Sequence, residues 1–458
     1  MQITLEDIFN IPTAVIYNPD LYKSVSSVSI DTRSLKKKSL YVAIKGERFD
    51  GHKYVEEAVS KGASAVLISN RKLKLFNKLS VPIITVQNTK KAYGELAHIW
   101  RNKLNAKIIS ITGSNGKTST KEITRQLLSS KFRVHSTLAN NNNDIGVPLT
   151  LFSTPRSTEL VVLEHGTNHF GEIEYTAKIA RPDIAIITNI GNSHIEYLKN
   201  KKGVLEEKLE LFNNVKDGGK VLINNDDVLL AKQKEKFKNK SVYGFTGRVN
   251  IKGSKKGYAP DGNEKINVKY KKLSIDITLP LLGESSAKNF LSALAICIEV
   301  GLTKTQIISR VKKVKQISKR LEKKDFKKFV IIDDTYNANP ESVSNAITVL
   351  SKYKSKKNKI AILGDMGELG KDAVKFHKDI AKEINVNKIN MVLSIGNNSK
   401  HLFSKLNKSV GVKKHFTKRN TMKEFINKMD LADSVILVKG SRYMKMEDFV
   451  EVLEKRAA

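Results

Sequence analysis

The feature that most constrains this chain is a glycine-punctuated turn, ITGSNGKTST (111–120), set between an apolar run and a helix-spaced run. KIISIT (107–112) reads as a short buried strand, and KEITRQLLSSK (121–131) carries apolar residues at helical spacing. Strand, tight turn and helix is the context in which backbone N–H groups converge on an anion at a helix N-terminus. Gly113, Ser114, Asn115 and Gly116 then form the cradle, Lys117 neutralises terminal phosphates, and the Thr118 hydroxyl is placed to bind Mg²⁺. The generic GxxxxGK(S/T) pattern would put its first glycine at Ile111, so this is a shortened phosphate loop.

Such a loop needs a sheet behind it. LVVLE (160–164) and DIAIIT (183–188) read as two more buried strands separated by helical segments, which argues for a parallel sheet with crossover helices. Glu164 ends the first of these, where an acid beside a phosphate loop can hold Mg²⁺. His194 follows the second, in NIGNSHIEYL (189–198), where a metal ligand and a structural histidine are equally good readings.

The chain divides around this unit. Residues 1–104 read as a small α/β domain, with strands at 27–34, 40–44, 64–69 and 82–86 and helices at 54–63 and 90–103. Residues 105–316 form the central phosphate-loop domain. Within it, 241–280 reads as a small antiparallel sheet and 284–301 as a helix ending at Gly301. From 317 to 458 the alternation restarts, with four apolar strands at 328–337, 359–365, 391–397 and 434–441. That pattern describes a doubly wound, Rossmann-like domain whose ligands sit beyond the carboxyl ends of the strands.

Composition excludes some functions. Lys and Arg number 81 against 46 Asp and Glu, a net charge of +35 that would suit a polyanion partner. The excess is spread along the chain and is mostly lysine. It lacks the aromatic-interleaved stripe of single-strand binders, so a nucleic-acid-associated ATPase is the weaker reading. No apolar run reaches the length of a membrane span, and MQITLEDIFNIP lacks the basic and apolar regions of a signal peptide. A cytoplasmic protein is expected. The single cysteine, Cys297, sits in an apolar stretch and reads as core packing.

Taken together, these motifs resemble the Mur ligases, over nearly the whole chain. The short loop TGSNGKTSTKE, the Asn-rich LANNNNDIGVPLTLF (138–152), EHGTNHFGEIEY (164–175) and NIGNSHIEYL are similar to the family's segments. DDTYNANPESV (333–343), ILGDMGELG (362–370) and LVKGSRYMKME (437–447) resemble its D-alanyl-D-alanine-adding branch, and IDTRS with FDGHKYVEEA (49–58) its uridine-diphosphate-binding domain. The resemblance implies a three-domain α/β architecture: a UDP-sugar domain, a central phosphate-loop ATPase domain, and a Rossmann-like C-terminal ligase domain. It implies ATP and two Mg²⁺ ions as cofactors. The substrates would be UDP-N-acetylmuramoyl-tripeptide and D-alanyl-D-alanine, handled by a monomer.

By matching, Thr118, Glu164 and His194 hold metal together with Lys208, the position that carries a carbamate in the family. Lys117, Glu164, His194 and Lys208 form the catalytic set. Asn289, Arg320 and Asp334 join the loop residues around ATP. Thr32, Arg33, Asp50, Gly51 and His52 face the UDP-sugar, and Asn140, Asn142, Asn143, Thr167, Asn168 and His169 lie along the peptide. Asn337, Asn339, Lys439, Gly440 and Arg442 lie at the closing interface. The chain departs from the pattern at Lys288, where the family has His, and at Ser292, Thr32 and Phe170. The implied reaction activates a carboxylate as an acyl-phosphate, which an amine then attacks. A folate polyglutamate-type or single-amino-acid ligase is the alternative.

Overall fold

The computed structural model describes residues 1–46, 49–258 and 263–457. Among the described residues the chain builds three sheets, of five, nine and six strands, in sequence order. In the first, Ser27–Ser29, Ser39–Val42, Ala63–Ser69 and Ile83–Val86 run parallel, and Val15–Tyr17 adds an antiparallel edge. The strand expected over 27–34 stops at Ser29. Asp31 then accepts the Arg33 N–H at 2.9 Å, closing a turn that cannot continue a ladder.

The central sheet places Lys107–Thr112 between Leu160–Glu164 and Ile184–Ile187, all parallel. The phosphate loop therefore leaves the sheet at the point where connections diverge to either side, which is where a crevice opens in doubly wound folds. Lys117–Leu128 packs back on this sheet together with Glu284–Val300, whose carboxyl end is capped by Gly301 in the left-handed conformation. Cys297 is fully buried in that second helix, as its apolar neighbours implied.

The stretch 241–280 is not a separate sheet. Lys240–Gly244 pairs in parallel with Lys220–Asn224, and Ile251–Tyr258 pairs in parallel with Lys240–Gly244. Only Glu264–Tyr270 and Leu273–Thr278 complete an antiparallel ribbon at the far edge. Alternation signals a strand with one wet face. It does not say whether that strand starts a new sheet or extends an old one.

The third sheet has the four expected parallel strands, Phe329–Asp334, Asn358–Leu363, Met391–Ile395 and Ser434–Lys439. Two edge strands were not foreseen. Glu322–Asp325 and Val412–Phe416 are mostly polar (EKKD and VKKHF), and an edge strand with exposed charged residues gives no apolar signal. No helix among the described residues is long and apolar enough to cross a membrane.

Candidate functional site

The loop begins with two glycines in backbone conformations that other residues rarely adopt. Gly113 has φ 147, and a Cβ there would lie 1.9 Å from Thr188 Oγ1. Gly116 has φ 82, and its Cβ would lie 2.0 Å from Asn289 Oδ1. The backbone is thus pressed against the third strand on one side and against the helix Glu284–Val300 on the other. Asn189 braces the loop from below: its Oδ1 accepts the Asn115 N–H at 3.0 Å and its Nδ2 donates to Asn115 O at 2.9 Å.

Lys117 opens the helix and folds its ammonium back onto Gly113 O at 2.7 Å. Burial lowers its pKa, and the charge of Glu164 works against that shift. Thr118 donates to Glu164 Oε1 at 3.0 Å, and Asn142 Nδ2 donates to the same oxygen at 2.9 Å. Glu164 is 2% exposed, so it is not a solvated strand-end acid. Its Oε2 has no hydrogen-bond partner, the nearest cation being Lys121 Nζ at 3.9 Å.

Behind this lies Lys208, on the helix Lys201–Asn213. It is completely buried and its ammonium nitrogen has no partner. Burial pushes its pKa well below the ordinary lysine value, Lys117 adds to the shift, and Glu207 opposes it. Glu207 itself accepts from Thr167 Oγ1 and from the N–H groups of Gly171 and Ile173, so it is bound into the start of the helix Glu172–Ala180.

A cavity of about 1200 Å³ opens over the loop. It gathers Ser114 to Thr118, Glu164, His194, Asn140, Asn142, Asn143, Thr167, Asn168 and Asn289 from the central unit, and Arg320, Asp334, Asn337, Asn339, Lys439 and Arg442 from the third. Several contacts join the two units across it, among them a hydrogen bond from Asn345 Nδ2 to Ser285 Oγ at 2.8 Å. Arg320 Nη2 donates to Thr118 Oγ1 at 2.9 Å, Asn339 Nδ2 to Asn115 Oδ1 at 2.7 Å, and the Asn192 N–H to Glu341 Oε1 at 2.9 Å. His194 Nδ1 lies 2.7 Å from Glu368 Oε2, close enough for an ion pair but outside the alignment of a hydrogen bond. Lys439 is 2% exposed; it clasps Asp334 Oδ2 at 2.6 Å and Asn337 O at 2.9 Å, which fixes the DDTYNANP segment to the last strand of the sheet.

Some anticipated residues lie apart. Thr32, Arg33, Asp50, Gly51 and His52 are on the first unit and do not line the cavity. Arg33 makes a fork with Asp31, which holds that carboxyl down to about 2. His52 has both ring nitrogens engaged internally, Nδ1 with Asp50 Oδ1 at 2.6 Å and Nε2 accepting the Ser69 N–H at 3.0 Å. His169 is outside the cavity, packed against Tyr197. The sequence reading missed Glu341, Glu368 and Tyr336, although all three stand inside motifs it singled out. Tyr336 lies under the Arg320 guanidinium, 4.1 Å from it. Lys121 was missed as well; an ammonium hidden in the second turn of a helix has no sequence signature.

Family models match three stretches of the chain: "Mur ligase family, catalytic domain" at residues 24–101, "Mur ligase middle domain" at 111–297, and "Mur ligase, glutamate ligase domain" at 319–442. The UDP-N-acetylmuramoyl-tripeptide--D-alanyl-D-alanine ligase of Haemophilus influenzae is 34% identical over 452 residues, covering 94% of each chain. That of Escherichia coli is 32% identical, covering 99% of each. Among solved structures, MurF from Acinetobacter baumannii superposes with a TM-score of 0.89 at 25% identity, covering 99% of both chains. The MurF ligase of Thermotoga maritima in complex with ADP gives 0.84 at 26%, covering 94% of this chain and 98% of that one. A folylpolyglutamate synthase from Mycobacterium tuberculosis gives 0.62 at 14% identity, covering 80% of this chain and 95% of that one, a likeness of fold alone.

Proposed function

The chain belongs to the Mur ligase family, and on that premise we propose that it joins D-alanyl-D-alanine to UDP-N-acetylmuramoyl-tripeptide at the expense of ATP. The observation that carries the proposal is the pairing of the phosphate loop with the DDTYNANP segment in one cavity, by way of Arg320 to Thr118 and Asn339 to Asn115. That arrangement lets a phosphoryl group and an incoming amine meet. It accords with the full-length similarity to ligases named for this reaction.

Residues 105–316 take the nucleotide, with the loop amides and Lys117 on the phosphates, Asn289 near the base and Asp334 near the ribose. Residues 1–104 take the UDP-sugar through Thr32, Arg33 and the 50–52 turn. Residues 317–458 bring the dipeptide. The tripeptide lies along Asn140, Asn142, Asn143, Thr167, Asn168 and His169, and Asn337, Asn339, Lys439 and Arg442 complete the closed site.

The residues present fit Mg²⁺. A buried carboxylate with one free oxygen stands beside a hydroxyl, and this ion characteristically takes one or two carboxylates and completes its shell with phosphate oxygens and water. Among the described residues no three acidic, histidine or cysteine side chains cluster as a metal cage by themselves. Thr118 and Glu164 would hold one ion and His194 with Lys208 a second. When bound, the metal supplies charge neutralisation for phosphoryl transfer. Lys208 fits a carbamate: a partnerless buried amine with a depressed pKa is the neutral nucleophile that CO₂ requires.

A free carboxylate does not acylate amines at neutral pH, so the first step is attack of the tripeptide carboxylate on the terminal phosphorus. Two anions must approach. Lys117, Arg320 and the loop amides offset their repulsion, which is the main catalytic contribution of the chain. The dipeptide's ammonium gives up a proton, and the free amine attacks the acyl-phosphate carbon; the C–N bond forms as the acyl C–O bond breaks, and phosphate leaves with the second proton of the amine. Enclosure by the third unit keeps water from the acyl-phosphate, and binding runs in the order ATP, tripeptide, dipeptide. We place the enzyme in the cytoplasm as a monomer. A coupled assay with ATP, Mg²⁺, UDP-muramoyl-tripeptide and D-alanyl-D-alanine should release ADP and phosphate. Turnover with single amino acids but not with the dipeptide would refute the assignment.

A further inference from the structure

Glu368 stands on the loop after the strand Asn358–Leu363, and the reaction as outlined gives it no task. Its backbone is left-handed, φ 60, and so is that of His194 opposite it, φ 54. Residues other than glycine rarely take this conformation, and where it persists it often aims a side chain at a functional site. The Glu368 side chain reaches into the cavity and remains 47% exposed.

The other carboxylates lining the cavity are committed. Asp144 pairs with Lys90, Glu284 with Lys255 and Lys288, and Asp334 with Lys439. Glu172 accepts the N–H groups of Asn168 and His169. Glu164 and Glu341 each keep one unpartnered oxygen, but those oxygens are sealed from solvent. Glu368 differs: among the described residues its one close partner is the His194 ring, and a carboxylate has acceptor sites for several donors. Glu368 and the phosphate-loop residues Ser114 to Thr118 line the same cavity.

The amine substrate brings an ammonium group into a cavity whose lining also holds Lys117, Arg320, Lys439 and Arg442. An ammonium entering there needs an anion that it can reach. We propose that Glu368 is the residue that receives the ammonium group of the amine substrate and holds its nitrogen toward the activated carboxyl. This deepens the ligase reading and rests on it. Arg442 is on a neighbouring loop of the same unit, where Gly367 sits against Ser441 and Tyr443, and its guanidinium pairs with Glu447 at 2.6 Å.

The test separates the two half-reactions. Acyl-phosphate formed from ATP and UDP-muramoyl-tripeptide is trapped with hydroxylamine as the hydroxamate, without dipeptide. Full ligation is then measured against D-alanyl-D-alanine concentration. Glu368→Gln is expected to keep hydroxamate formation and the KM for ATP while raising the KM for D-alanyl-D-alanine about 10- to 100-fold, the range for loss of a charged hydrogen bond. Glu368→Asp should recover part of that loss. Glu368→Gln should bind D-lactyl-D-alanine, which carries a hydroxyl in place of the ammonium, as well as the wild type does. An unchanged dipeptide KM, or a parallel fall in hydroxamate formation, would overturn the assignment and leave Glu368 as a support for His194. If the wild type itself forms no hydroxamate, the ligase reading fails and this proposal falls with it.

Discussion

Arg320 donates from Nη2 to Thr118 Oγ1 at 2.9 Å while its guanidinium lies over the Tyr336 ring at 4.1 Å. One side chain thus ties the segment that enters the third sheet to the first turn of the phosphate-loop helix. Its neighbours Lys319 and Leu321 both have positive φ, at 60 and 51, so the segment is held in a conformation that L residues resist. The Leu321 N–H is accepted by Asp334 Oδ1 at 3.2 Å, and Lys319 pairs with Glu447 at 3.1 Å. The junction between the two units is therefore clamped at the first turn of the phosphate-loop helix.

Replacing Arg320 should be costly in a specific way. Arg320→Ala is expected to lower kcat/KM for ATP about 10- to 100-fold, the size of a lost charged hydrogen bond. Arg320→Lys should recover little, since an ammonium cannot both stack flat on Tyr336 and reach Thr118 with a planar fork. Initial rates at varied ATP would show this, and wild-type kinetics in the lysine variant would contradict it.

Lys117 touches only loop carbonyls, Gly113 O at 2.7 Å and Ser114 O at 3.4 Å. Its removal should leave the fold intact and remove the chemistry. For Lys117→Ala the expectation is a fall in ADP formation of roughly 10²-fold or more, as for other preorganised charge stabilisers, with an unaltered circular dichroism spectrum. Retained turnover would take this loop out of the mechanism.

Lys208 should show the opposite balance between stability and activity. A buried amine without a partner is a liability to the fold. Lys208→Met, close in shape and without the polar end, is expected to raise the melting temperature of the protein while abolishing ATP turnover. A variant that melts lower, or that turns over normally, would mean the amine is satisfied by something other than the proposed carbamate and metal.

How much of this was legible beforehand depended on how local each signal was. The phosphate loop carries its context within about twenty residues of chain, so strand, turn and helix were all readable. Glu164 was found because an acid closes an apolar strand. Lys208 gave no local signal, since a lysine in GVLEEKLELF looks like any helix-face charge and only the assembled fold shows it buried. Asn189 and Glu368 act through partners 74 and 174 positions away, Asn115 and His194, and no spacing rule reports such a pairing. The edge strand Val412–Phe416 was invisible for a simpler reason: it is solvated and charged.

His165, next to Glu164, makes acid stability a further test of the core beneath the site. It is fully buried, with Nε2 2.9 Å from Ser110 Oγ and Nδ1 2.9 Å from Thr176 Oγ1. Burial pushes its pKa down from 6.5 to about 3. The folded chain thus keeps this ring neutral over a range in which the unfolded chain protonates it. Well above pH 6.5 neither state binds the proton and this group leaves stability unaffected. As the pH falls from 6.5 toward 3, the unfolded state gains protons first and the fold loses stability, by about 2 kcal/mol at pH 5 from this group alone. His165→Gln should be less stable than wild type at pH 7.5, because the imidazole's two hydrogen bonds are not both reproduced. It should also lose less on moving to pH 5. Urea unfolding of both proteins at the two pH values measures the difference, and equal pH sensitivity would show that His165 is not the group responsible.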